Sequence, residues 1–233
     1  MVAKLAWVND VNSSLETLGG KKKVDVSQGA GQDPSVSMED MVEYLADLVR
    51  SDKIVGIGLS GLNDAETIKR AYGIYPIVLV EVELSIWDTH ALHNGVLKTC
   101  GELGIPVIAR SPLGRGILAG AFTKASDLPD GHARKKLSRF QAEAMKQNIK
   151  LVNEVKALAA RKGVAPAQIA LGWILTLSGR PGMLTIIPIP GASTSSKVTQ
   201  DPRGVSRLSD REMAEIDEII QRNKLVGLVV EFG

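Results

Sequence analysis

An α/β fold built on parallel strands is what this 233-residue chain predicts, and three observations carry the prediction. Short β-rich apolar runs alternate with amphipathic helical stretches, the pattern of βα repeats. Apolar residues make up 44% of the chain, enough for a packed core rather than disorder. No linker divides the alternation, so residues 1–233 read as a single domain.

The elements follow in order. "MVAKLAWVNDVNSSLETL" spaces its apolar residues helically and lacks a signal-peptide core. Val24–Ser27 is a weak strand. Ser37–Arg50 is a helix: Ser37 with Asp40 approximates a capping box, and Met38, Met41, Leu45 and Leu48 share a face. Ile54–Leu59 is a second strand, and Asp64–Tyr72 a helix. A third strand, Ile77–Val82, precedes a helix at Val96–Leu103, and Ile105–Ala109 is a fourth. Phe140–Arg161 is the longest helix. "APAQIALGWIL" is a buried helix begun by Pro166, a residue suited to the first turn. Leu184–Ile187 is a fifth strand, followed by a short helix near Thr194, and the last helix opens at Ser209 on a Ser209/Glu212 capping box. The irregular stretch from Gly120 to Ser138 is long enough to suggest a functional surface loop. A (β/α)₈ barrel takes about 250 residues, so the length admits one. Five strands do not fill it: either three are hidden, or the barrel is incomplete.

Composition excludes several functions. The 28 basic and 26 acidic residues nearly cancel, and only Lys21–Lys23 and Lys135–Lys136 cluster, too little for a nucleic-acid surface. Aromatic residues are too few for a stacking platform. No apolar run approaches the ~20 residues that span a bilayer. Cys100 is the only cysteine, which rules out a disulfide framework and points to a reducing, cytoplasmic setting. It reads as a packing residue.

"GIGLSG" (Gly56–Gly61) matches the dinucleotide fingerprint, with Glu81 at about the expected distance. Its physics is unfavourable. A pyrophosphate should rest on the next helix's N-terminus, and that helix opens "NDAE", with Asp64 and Glu66 where the anion would sit. Gly56 and Gly58 fall inside the strand, where glycine permits close packing. His90 and His93 share a helical face without a third ligand nearby, so they read as a solvated pair. His132 stands in a polar loop with no partner signal. "GLSGL" is no nucleophile elbow, because Leu62 occupies the last glycine position.

"VIARSPLGRGILAG" (Val107–Gly120) is more informative. An apolar run ends in a Ser-Pro turn, and two glycines flank Arg115, a backbone shape suited to a phosphate. With this motif the chain resembles the aldo-keto reductases, specifically their fungal pyridoxal reductase-like branch. The similarity continues in order through "SMEDMVEYLADLVRSDKIVGIGLS", "VEVELSIWD", "LPDGHARKKLSRFQ", "VAPAQIALGWIL" and "TIIPIPGAST". It implies a TIM-barrel-type fold that lacks about the first three βα units, because the match starts just before the family's fourth strand. "VNDVNSSLETLGG" enters mid-helix relative to the family, which predicts an upstream coding segment.

The resemblance also implies roles. The family's catalytic tyrosine, aspartate and lysine have no counterpart here, and its histidine position falls at Ala30. NADP(H) is the implied cofactor. The backbone of Ser111, Leu113, Gly114 and Arg115 would embrace the pyrophosphate. Ser60 would bond the nicotinamide carboxamide, with Gly61 in place of an asparagine. Glu81 stands where the family has glutamine, and when ionised it accepts but does not donate. Arg110 replaces the stacking aromatic. Beyond Gly191, Lys197, Gln200 and Asp201 fall at the adenosine 2′-phosphate and adenine positions, with Lys197 keeping the charge that suits NADP. The expected function is reduction of a small-molecule aldehyde or ketone. The alternative is a catalytically inactive remnant that binds a nucleotide or a partner. An incomplete barrel would expose sheet edges, which predicts self-association.

Overall fold

The computed structural model describes residues 11–30, 36–61, 64–180, 185–192, 194 and 204–227. Five strands form one sheet: β1 (Val24–Ala30), β2 (Ile54–Ser60), β3 (Ile77–Glu83), β4 (Val107–Arg110) and β5 (Ile186–Ile189). Their order in the sheet is their order in the chain. β1–β2 and β2–β3 pair in parallel. The Val80 N–H donates to Pro106 O, and the Val107 N–H to Thr185 O, carrying the sheet on to β4 and β5. Sequential order is that of a barrel wall. A doubly wound nucleotide fold would reverse direction at a switch point, so the topology decides against the "GIGLSG" alternative.

The longer helices are α1 (Met38–Arg50), α2 (Ala65–Ile74), α3 (Val96–Leu103), α4 (Ala142–Lys162), α5 (Pro166–Leu177) and α6 (Asp210–Arg222), and His90–His93 forms one helical turn. Residues 11–18 are also helical. The chain divides into two compact units. One comprises Met1–Val82, His90–Ile108 and Pro181–Ile186. The other comprises Glu83–Thr89, Ala109–Arg180 and Ile187–Gly233.

In the first unit, α1 buries the predicted face, Met38, Met41, Leu45 and Leu48, together with Val42 and Ala46. The Ser37 hydroxyl accepts the Asp40 N–H at 3.0 Å to start the helix. Ile54, Ile57 and Leu59 of β2, Ile68 of α2 and Cys100 of α3 are buried with them. Gly56 and Gly58 permit close packing, as expected: a Cβ on either would come within 2.8 Å of Val78 or Leu79. The α2 N-terminus is closed by its own carboxylate, since Asp64 accepts the Glu66 and Thr67 N–H groups. That leaves no place for an anion there.

In the second unit, Trp87 stacks on Phe140 with centroids 5.9 Å apart, and Phe122 tilts against Phe140 at 5.7 Å. α5 is buried nearly all round, as its lack of amphipathic pattern demands. α6 opens on the predicted Ser209/Glu212 box. It is tied to α4 by Arg161–Glu215, Lys162–Glu212 and Arg222–Glu154.

Several boundaries move. β1 runs three residues past the predicted end, because Gln28–Ala30 pair with Gly58–Ser60 despite their weak propensity. β4 starts two residues later, and β5 is Ile186–Ile189 rather than Leu184–Ile187. The helix expected near Thr194 lies mostly outside the described residues.

Candidate functional site

β4 ends at Arg110, and the chain enters a turn of unusual backbone. Ser111, Gly114, Arg115 and Gly116 all adopt positive φ, at 53°, 57°, 57° and 98°. Two of the four are not glycine, a strained state that persists only where surroundings impose it. At Gly114 the constraint is visible: a Cβ there would lie 2.8 Å from Trp87 Cβ. Internal bonds hold the turn. The Gly114 N–H donates to Ser111 O, the Gly116 and Leu118 N–H groups to Leu113 O, and the Ile117 N–H to Gly114 O.

Those bonds leave a remainder. Among the described residues, the N–H groups of Ser111, Leu113 and Arg115 donate to nothing, although Leu113 is only 7% exposed. Unpaired main-chain donors in a half-buried turn call for a ligand or water to take them. Main-chain donors that converge in a turn of mixed left-handed and right-handed backbone suit an anion.

Charge reinforces it. Arg115 Nη2 donates to Glu83 Oε2 at 3.0 Å, and Arg110 Nη2 lies 3.8 Å from the same oxygen. The Glu83 side chain is 6% exposed, so the carboxylate fixes both guanidinium groups from below. Arg139, mostly buried as well, donates from Nη1 to Trp87 O at 2.7 Å and from Nε to Gly227 O at 3.0 Å. Burial pushes the Arg139 guanidinium down, against the upward pull of Asp88 and Glu83. Asn148 accepts the Val226 N–H and donates to Val226 O, so the segment through Gly227 is held at two points.

A second cluster lies at the carboxyl ends of β1, β2 and β3. Glu81 accepts from Ser60 Oγ at 3.2 Å and from Gln28 Nε2 at 2.9 Å, and its main-chain oxygen accepts the Gly61 N–H. Gln28 Oε1 is buried and unpaired. The set therefore presents acceptors, and the Ser60 hydroxyl and Gln28 amide donors are spent on Glu81. Barrel enzymes build their sites at this end of the strands.

The expected residues divide into three groups. Ser60 and Glu81 come together. Arg110, Ser111, Leu113, Gly114 and Arg115 form or adjoin the turn. Gly191 is exposed just past β5, while Lys197, Gln200 and Asp201 lie outside the described residues. Sequence reasoning missed Gln28, Glu83 and Arg139. Gln28 and Glu83 sit at strand ends, a signal that could have found them; Arg139 gave none, because its partners are main-chain oxygens distant in sequence. His132 does have a partner: its Nδ1 accepts the Arg134 N–H at 3.2 Å.

Taken unit by unit, the residues present fit the separate parts of a dinucleotide unevenly. Three unpaired N–H groups and Arg115 suit a pyrophosphate, and the buried Gln28 oxygen suits the amino group of a carboxamide. The carboxamide oxygen would need a donor that Glu81 does not supply when ionised.

Residues 4–221 match the model of the Aldo/keto reductase family. The chain is 34% identical over 236 residues to the protein of Saccharomyces cerevisiae named "Putative pyridoxal reductase", covering 94% of this chain and 68% of that one. A Schizosaccharomyces pombe protein named "Probable pyridoxal reductase 2" is 34% identical over 223 residues, with 94% and 66% covered. The chain spans about two thirds of the length of these relatives. Among solved structures it resembles the glycerol dehydrogenase AKR11B4 from Gluconobacter oxydans, with TM-score 0.82, 20% identity, and 99% and 68% covered. It also resembles the thermostable aldo-keto reductase Tm1743, with TM-score 0.69, 22% identity, and 91% and 65% covered. Likeness at that identity speaks for the fold, a barrel of which this sheet is part.

Proposed function

The chain belongs to the aldo/keto reductase family, and from that premise we propose that it binds NADP(H) and serves the reduction of a small-molecule aldehyde or ketone. One observation carries the reading: the turn at Ser111–Gly116 leaves three main-chain donors unpaired beside Arg115. In this reading the Ser111, Leu113 and Arg115 N–H groups hold the pyrophosphate, and Glu83 keeps Arg115 oriented toward it. Ser60, Glu81 and Gln28 orient the carboxamide through its amino group. When bound, the reduced dinucleotide supplies a hydride to the carbonyl carbon. Lys197 favours the 2′-phosphorylated form, and the relatives' names suggest an aromatic aldehyde as substrate.

A second reading has a specific observation behind it. Reduction needs a proton for the alkoxide, and acid–base catalysis contributes about 10²–10⁴-fold. The three tyrosines of this sequence, Tyr44, Tyr72 and Tyr75, lie on α1, on α2 and at the end of α2, not at a strand's carboxyl end. Ala30 at the end of β1 has no proton to give. On this reading the chain binds nucleotide or a partner without turnover.

Titration with NADPH at low and moderate salt tests both. Saturable binding that weakens with salt supports the cofactor reading, and turnover on an aldehyde panel then separates enzyme from binding protein. A folded sample that binds no NADPH would overturn the cofactor reading.

A further inference from the structure

The segment that follows α6 is stitched to α4 by polar groups. Asn223 is 7% exposed and donates from Nδ2 to Glu154 Oε1 at 2.7 Å. The Val226 N–H donates to Asn148 Oδ1 at 2.8 Å, and Val226 O accepts from Asn148 Nδ2 at 2.9 Å. Gly227 O then accepts from Arg139 Nε at 3.0 Å. The partners come in descending order, Glu154, Asn148 and Arg139, so Asn223–Gly227 runs back along α4 and past its start. The Val226 side chain itself is 52% exposed. Hydrogen bonds that water can replace contribute little net, so a segment held mainly by them is a strap that can open.

The last stitch leads to the turn. The same Arg139 guanidinium donates from Nη1 to Trp87 O at 2.7 Å and lies 3.6 Å from Asp88. Phe140, the next residue, is fully buried and stacks on the Trp87 ring. Residues 139 and 140 therefore hold Trp87 by its main chain and by its side chain. Trp87 Cβ in turn abuts Gly114, with no room for a methyl between them. Gly227 is as tightly placed: its φ is 87°, and a Cβ there would lie 2.6 Å from Arg139 N. From Gly227 through Arg139 and Trp87 to Gly114 the contacts are close throughout, and all lie within the second compact unit. Packing of that density passes a displacement on rather than absorbing it.

We propose that Arg139 is a positioning residue for the Ser111–Gly116 turn, and that Asn223–Gly227 is a strap whose docking keeps Arg139 in place. A turn with two non-glycine residues on left-handed backbone needs such backing. Where the turn holds a pyrophosphate, which rests on the cofactor reading, nucleotide and strap are coupled, and each tightens the other by the same factor.

Amide hydrogen exchange of the full chain, with an NADPH titration alongside, tests this. Gly227→Ala should speed exchange at Gly114, Gly116, Ile117 and Leu118 and weaken NADPH, each by about fivefold or more, with α1 in the first unit unchanged. Arg139→Lys should do the same: it keeps a charge beside Asp88, but one ammonium does not bridge Trp87 O and Gly227 O as the planar fork does. Lys224→Ala, at an exposed position of the segment, should match the parent chain. In the parent chain NADPH should slow exchange at Val226 by about the factor that Gly227→Ala costs in affinity. If both variants leave the turn amides within about twofold of the parent chain, the proposal falls, and the cofactor reading stands on the parent chain's own binding of NADPH. Acceleration spread equally over α1, or a loosened turn that still binds NADPH as tightly as the parent chain, would overturn it as well. If the turn amides follow the strap while the parent chain binds no NADPH, the cofactor reading falls and the positioning role stands.

Discussion

Asp64 shows how much one side chain can decide. Its carboxylate accepts the Thr67 hydroxyl and the Thr67 and Glu66 N–H groups, and these bonds hold its pKa below the ordinary carboxylate range. The folded state favours the ionised form, so the stabilisation is complete above about pH 3.9 and is lost as pH falls through the lowered value. Asp64→Ala should cost about 1 kcal/mol at neutral pH, as a lost cap does. Thermal melts of Asp64→Ala and the parent chain between pH 2 and 6 should converge at the acid end; a constant gap would refute the assignment. Cys100 makes the opposite case. It is fully buried, and burial pushes its thiol up to about 11. Labelling by a thiol-disulfide reagent at pH 8 should therefore track unfolding by urea, with no reaction in the native state. Glu83 is the residue whose loss should touch function. Glu83→Gln removes the charge beneath Arg115 and Arg110, and should lower stability by about 2 kcal/mol, short of the deepest ion pairs because both arginines reach solvent. Nucleotide affinity should drop with it, measured by the same titration.

At the scale of elements, the turn after β4 is the most constrained piece of backbone. Gly114→Ala places a methyl against Trp87 in a left-handed conformation and should cost about 2 kcal/mol while abolishing anion binding. A variant that melts like the parent chain yet binds NADPH equally well would show that the turn's geometry is not what holds phosphate. α4 carries a second device. Asn148 is fully buried in it and makes bonds to Val226 and to Arg139 O. Asn148→Ala leaves those main-chain groups without partners and should cost about 2–3 kcal/mol. Limited proteolysis would then cut near Val226 first. The elements themselves were largely legible. Periodicity gave α1 its buried face, and Ser-x-x-Glu gave α6 its start. Strand ends were less so: Gln28–Ala30 are polar or small, and only pairing with β2 makes them strand. Asn148 was unreadable, because nothing in a polar residue on a long helix says that its partner lies 78 positions away.

For the whole molecule, β1 and β5 bound the sheet of the described residues, and each leaves one side without a strand partner. Ile187 and Ile189 of β5 are 45% and 44% exposed. Open parallel edges with exposed apolar side chains promote pairing between chains. Sedimentation velocity of this chain should therefore show concentration-dependent association; a monomer across a hundredfold range would count against it.

What the sequence determined by itself was local or ordered along the chain: the βα alternation, the helix caps, the apolar faces, and the succession of motifs that marks the family. Each depends on neighbours within a turn of helix or a strand, or on simple order, and so survives without coordinates. The tertiary structure alone decided which polar groups meet. It set Gln28 and Ser60 on Glu81, Glu83 beneath Arg115, and Arg134 over Phe122 with His132 at its guanidinium. It also showed which donors of the Ser111–Gly116 turn go unpaired. A hydrogen bond is fixed by distance and direction in space, and residues dozens of positions apart carry no trace in sequence of the atom they will face.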